Sequence, residues 1–305
     1  AHHYLEGDAP DRALPYLIMA ADSALKLNAT AEAIAHYERA LPIALGQKDA
    51  SEQIAQLYTC RGRALELQSR FTEADASYQD LEQLARERDD RRLELAALIG
   101  QGKLRANVTP LFDAAAGRAL MERALSLSRD LDERAAEVRI LWNLLNIDRF
   151  DFNKSDRAVA NGERALGIAR EMGLAEETAY LLNDLGQLYG TLGQLELARR
   201  LLAEAQAYWR ALDNLPMLAD SLSGCAVWTA INGELPAALA YTEEGLAIAT
   251  RIGNRWGQAF ARGTRGLTLG YLGHLGDGIA SLRQAIEEAR DSGFLGGQLL
   301  ARAFL

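Results

Sequence analysis

The sequence predicts an all-α chain, about seven helix pairs stacked into a right-handed superhelical solenoid. Three observations predict it. A short phrase recurs seven times at a spacing close to 40 residues. The strong helix formers Ala, Leu, Glu, Arg and Gln dominate, and no alternating runs of β-branched and aromatic residues signal a strand. Turn residues stand where one helix of a pair must give way to the next.

The phrase is a small residue, a large one four positions on, and a small one three further on. It reads Ala33, Tyr37, Ala40; Ala74, Tyr78, Leu81; Gly117, Met121, Ala124; and Ala158, Gly162, Ala165. It continues as Ala198, Leu202, Ala205; Ala238, Thr242, Gly245; and Gly278, Leu282, Ala285. Successive copies are offset by 41, 43, 41, 40, 40 and 40 residues. Spacings of three, four and seven put these residues on one face of a helix. Small residues there let two helices approach closely, and the large residue fills the space beside them.

Twelve residues upstream lies a second phrase, on the first helix of each pair: Arg61-Gly62, Leu145-Asn146, Leu185-Gly186, Cys225-Ala226 and Arg265-Gly266. In the third copy Gly102 precedes Gly117 by fifteen residues, so a longer loop is expected over 107–113. Gly173, Asn214, Gly253-Asn254 and Gly293 are expected to end second helices, and Gly193, Gly233 and Gly273 to turn first helices into second ones. Pro216 and Pro236 fall in first turns, where a missing N–H costs little. Pro42 lies inside a second helix and should bend or end it.

The repeats are expected at about 12–48, 49–89, 90–131, 132–173, 174–213, 214–253 and 254–293, with 294–305 opening a further one. A helix pair cannot bury its apolar face alone, so a single array over 1–305 is expected, each repeat packing on its neighbours. The chain starts at Ala1-His2-His3-Tyr4 without a signal pattern and stops at Leu305 inside a helix-like run. Both ends therefore read as cut from something longer.

Composition narrows the function classes. The 305 residues carry a net charge of −9, and no Lys/Arg cluster offers phosphate a footprint, which argues against nucleic acid. No apolar run is long enough to span a membrane. Two cysteines and four histidines make neither a disulfide framework nor a zinc pattern. There is no phosphate loop, and no cofactor is expected. A cytoplasmic protein fits these features.

The fullest second phrase, Leu185-Gly186-Gln187-Leu188-Tyr189, and Trp142 three residues before Leu145, resemble the tetratricopeptide pattern. The 40-residue period resembles the long-helix variant of kinesin light chains, Leu-Gly-Asn-repeat adaptors and bacterial signalling ATPases. The stretches AEAIAHYERAL, LNDLGQLYGTLGQLELARRLLAEAQ and GLAIATRIGNRWGQA resemble the C-terminal repeats of bacterial multidomain regulators. These are ATP-binding transcription regulators, maltose-regulator-like proteins, and nucleotide cyclases with an ATPase module. The resemblance implies a sensing or binding part whose ATPase and output domains lie elsewhere.

Other candidates have plain structural readings. Cys60 and Cys225 suit core packing. His36 and the turn residue His274 need no catalytic role. Gly263-Thr264-Arg265-Gly266 and Gly293–Gly297 lack the preceding strand of a phosphate cradle. Trp142, Trp209, Trp228 and Trp256 suit packing between repeats, with Trp256 the one expected to reach the surface.

The remaining candidate is the concave face that the resemblance assigns to the first helices. It would carry Gln56, Thr59, Arg63 and Glu66; Lys103 and Asn107; Asn143 and Ile147; Tyr180, Asn183, Asp184, Gln187 and Thr191. Asp220, Ser223, Val227, Phe260, Thr264, Leu267 and Tyr271 complete it. Asn143 and Asn183, one 40-residue step apart, would offer amides to a peptide backbone; Arg63 and Lys103 would take an acidic group, Asp184 and Asp220 a basic one. The leading expectation is a non-catalytic interaction scaffold for a peptide, a partner protein or domains of the same parent chain. A small-molecule effector sensor is the alternative, and an enzyme is disfavoured because no catalytic groups pair.

Overall fold

A computed structural model describes residues 10–27, 29–47, 50–107, 109–149 and 152–305. The start of the chain at Ala1-His2-His3-Tyr4 lies outside them. Among the described residues there are fifteen α-helices, one 3-10 turn at Phe152–Lys154 and no strand. In chain order they are α1 (Pro10–Lys26), α2 (Thr30–Leu45), α3 (Ser51–Leu67), α4 (Phe71–Arg88), α5 (Arg91–Ala106), α6 (Ala114–Asp130), α7 (Arg134–Asp148) and α8 (Ser155–Glu171). There follow α9 (Ala175–Thr191), α10 (Leu195–Ala211), α11 (Leu215–Ile231), α12 (Leu235–Arg251), α13 (Arg255–Tyr271), α14 (Leu275–Asp291) and α15 (Leu295–Phe304). Among the described residues no helix is long and apolar enough to cross a membrane.

The helix lengths explain the period. From α8 to α14 every helix has 17 residues and starts 20 residues after the last. Two such helices with their three-residue turns make the 40-residue repeat. The longer loop expected over 107–113 separates α5 from α6. Pro42 ends its helix rather than bending it, for α2 stops three residues later.

Ten of the turns among the described residues share one construction. A residue with positive φ follows the helix, and the next N–H reaches back to a carbonyl five residues earlier, as in Leu174 to Ala169 (2.9 Å), Gln194 to Tyr189 (2.9 Å) and Asn254 to Ala249 (2.9 Å). Glycine supplies the left-handed residue at Gly173, Gly193, Gly233, Gly253, Gly273 and Gly293. Ser69, Asp89, Asp132 and Asp213 supply it elsewhere. This corrects the reading of Asn214. Asp213, at φ 51°, ends α10, and the Asn214 side chain instead caps α11 by accepting from the Met217 N–H. Asn254 likewise caps α13 through the Gly257 N–H.

The chain divides into two compact units, 1–147 and 148–305, with the division inside α7. In the first, Leu17, Tyr37, Ile54, Leu65, Tyr78 and Leu93 form one continuous core. In the second, successive pairs α9/α10, α11/α12 and α13/α14 pack on one another.

The two phrases meet across four of the pairs. A Cβ placed on Gly62 would fall 2.2 Å from the Tyr78 hydroxyl, one on Gly102 2.8 Å from Met121 and one on Gly186 2.7 Å from Leu202. At Gly266 it would fall 2.6 Å from Leu282. The upstream glycine is therefore the socket for the downstream large residue. Both cysteines sit in packed surroundings, and burial pushes both thiols above their ordinary range.

Candidate functional site

In the second unit the middle of α9 carries Asn183, Asp184 and Gln187, and α11 carries Asp220, Ser223 and Gly224. The sequence folds this way because Leu181, Leu182, Leu185 and Leu188 bury most of the circumference of α9, leaving a narrow polar strip. On α11 the strip shrinks to Asp220 and small residues. Gly224 leaves space that Gln187 uses, since a Cβ there would lie 3.3 Å from the Gln187 amide nitrogen.

Asn183 and Asp220 are buried rather than displayed, whereas Asp184 and Gln187 are half-buried. Asn183 is 2% exposed and Asp220 8%. The Asn183 Nδ2 donates to Asp220 Oδ2 over a long 3.4 Å, while its Oδ1 is buried with no hydrogen-bond partner. The Arg149 guanidinium, in the turn after α7, pairs with Asp184 Oδ1 at 3.1 Å. Burial, reinforced by the nearby Asp184 charge, pushes the Asp220 carboxyl up to about 7; the Asn183 amide and Arg149 oppose the shift. The cluster thus holds two carboxyl groups, an orphaned carbonyl and one guanidinium.

Other expected site residues of this unit lie apart in function. Tyr180 packs edge-on against buried Trp209, centroids 4.8 Å apart. Tyr271, at the end of α13, is 56% exposed. Trp256 reaches the surface as expected, 37% exposed, with its ring 4.3 Å from that of Phe294 and 5.9 Å from that of Phe260. Trp228 covers Gly190 of α9, so it packs between repeats.

In the first unit the expected bases are differently placed. Arg63 is exposed on α3. Lys103 Nζ already pairs with Glu66 Oε2 at 2.6 Å, and the buried Tyr78 hydroxyl donates to the same carboxylate at 3.1 Å. Asn107 Nδ2 donates to the Lys103 carbonyl at 2.9 Å, closing the last turn of α5. Asn143, 6% exposed, donates to the Arg139 carbonyl of its own helix at 2.8 Å. A polar cleft of about 290 Å³ lies among Glu82, Asp89, Asp90, Arg91 and Arg123, where ion pairs occupy the walls.

Arg149 is the residue that sequence reasoning missed. It falls outside both repeated phrases, in the turn that separates α7 from the 3-10 segment. Only its place after a first helix, one turn from an acidic strip, would have singled it out.

The sequence matches no protein-family model and no curated protein. Its fold has solved counterparts. One is a signal transduction ATPase with numerous domains and a tetratricopeptide repeat sensor, from Pyrococcus horikoshii (TM-score 0.67, 15% identity, 98% of this chain and 45% of that one). Another is a Rap protein complexed with competence and sporulation factor (TM-score 0.65, 14% identity, 96% and 95%). A third is BtubC from P. vanneervenii (TM-score 0.59, 20% identity, 74% and 92%). At these identities the likeness is one of fold, and the fold is the tetratricopeptide-type helical repeat.

Proposed function

We propose that the chain is a non-catalytic interaction module holding a peptide or a partner domain on first-helix residues, as the sensing part of a larger signalling protein. The observation that carries this reading is the polar strip of α9 and α11. Most of each helix is packed in hydrocarbon, yet the strip keeps, beside two carboxyl groups, the Asn183 amide oxygen buried without a donor. A buried acceptor left unpaired is costly in a native fold, and a ligand donor removes that cost. The fold likeness to a repeat sensor and to a Rap protein crystallised with competence and sporulation factor supports the same reading.

The cavity walled by Leu195, Arg199, Leu202, Cys225 and Trp228 holds about 10 Å³, room for a water. An open face suits an extended ligand better. Within the proposal, Asn183, Gln187, Asp184 and Asp220 of the second unit contact the ligand.

Native mass spectrometry of protein freshly taken from its source tests this, with a retained peptide or protein as the expected result and a retained metabolite as the opposing one. With that ligand in hand, replacing Asn183 by Ala should weaken binding by about 1–3 kcal/mol. A change of a few tenths would assign that amide to the fold.

A further inference from the structure

We propose that Asn183, Asp184 and Asp220 form a receptor for the guanidinium of an arginine side chain in the bound peptide, and that Arg149 is a built-in stand-in which the ligand displaces. The proposal rests on the first-helix face being a peptide-binding surface and names the chemistry of one of its subsites.

Asn183 Oδ1 is buried and accepts from nothing, although its own amide nitrogen points at Asp220. The hydrogen bond that Asp220 accepts from Asn183 is 3.4 Å long, at the weak end of the range. Asp184 adds a second carboxylate on the neighbouring helix, close enough for its charge to act on Asp220. A group that satisfies this set must bring several N–H donors in a fixed plane and a positive charge. Guanidinium does both, with five donors and a charge that persists at any physiological pH.

The structure already contains the recognition it implies. Arg149 Nη1 sits 3.1 Å from Asp184 Oδ1, so the acidic strip binds a guanidinium now. That guanidinium comes from a turn residue rather than from the middle of a packed helix, and its side chain is 22% exposed. It therefore has a path outward, toward solvent. It leaves the Asn183 oxygen unpaired, which an arginine arriving along the strip has the donors to reach.

The test is affinity selection by the intact chain, read by mass spectrometry. The probes are equimolar capped heptapeptide mixtures, randomised in uncharged residues around a central arginine, its neutral isostere citrulline, lysine or glutamate. The wild type should retain the arginine mixture about ten-fold over citrulline, and over glutamate by more. Asp184→Asn with Asp220→Asn should erase that preference, while Arg149→Ala should raise retention of arginine peptides several-fold. Circular dichroism melts confirm that each variant is folded; Asp220→Asn alone, which keeps the shape and the contact with Asn183, serves if the pair is not. Equal retention of arginine and citrulline mixtures overturns the guanidinium receptor and leaves the peptide-binding reading intact. Failure of the wild type and of Arg149→Ala to retain any mixture overturns both.

Discussion

Asp220 is the place where fold and binding pull against each other, and replacing it by Asn measures the tension. The side chain is 8% exposed, and its carboxyl is raised from 3.8 to about 7, burial being the larger cause and Asp184 the second. A carboxyl raised in the fold holds its proton where the unfolded chain has released it. Below pH 3.8 both states are protonated and the site costs nothing. Between 3.8 and 7 stability falls as pH rises, and above 7 the full cost is present. Roughly three units at about 1.4 kcal/mol each set a ceiling of about 4 kcal/mol. Asn is nearly isosteric, keeps a partner for Asn183 and never ionises. Asp220→Asn should therefore leave stability unchanged near pH 4 and raise it by about 2–4 kcal/mol at pH 8. Urea titrations followed at 222 nm, at half-unit steps from pH 4 to 8, give both curves. A difference that does not grow with pH, or a variant less stable at pH 8, would show that Asp220 is ionised and well paired in the fold. The donor-poor picture of the strip would then be wrong.

Two further predictions follow from packing and pairing. Gly190→Ala sets a methyl 2.5 Å from the Trp228 ring and Gly186→Ala sets one 2.7 Å from Leu202, so each should cost about 1–3 kcal/mol. Gly167→Ala, on an exposed helical position with nothing within 4 Å, should instead stabilise by about 0.5–1 kcal/mol; thermal melts that rank the three otherwise would refute the socket account. Asp148, fully buried at the end of α7, takes two 3.0 Å bonds from Arg157 of α8. Arg157→Met should cost about 1–3 kcal/mol by removing those donors, and a loss below 0.5 kcal/mol in urea titration would mean other partners suffice.

The repeat was legible because its determinants are local. A period of 40 residues, the Gly62–Tyr78 type of pairing and the six turn glycines are written in spacing and in backbone preference, and both act within one helix pair. Even the exception was readable: the extra residues between Gly102 and Gly117 became the loop between α5 and α6. Where the left-handed turn residue is Ser69, Asp89, Asp132 or Asp213, the signal faded, since these side chains tolerate that conformation without requiring it.

The polar strip was legible only as a column of residue types. The repeat register brought Asn183, Asp184 and Asp220 to one set of helices, but it did not say how deeply they sink. That depth depends on how closely α9 and α11 approach, and the approach is set by side chains such as Gln187 over Gly224 and Trp228 over Gly190. The same is true of charge. Lys103 read as a free base until the packing of α3 against α5 put Glu66 on it, and Arg149 read as nothing until the turn after α7 laid it on Asp184. Helical periodicity is a property of the chain and can be counted along it. Desolvation and ion pairing belong to distances between elements, and those exist only once the helices have packed.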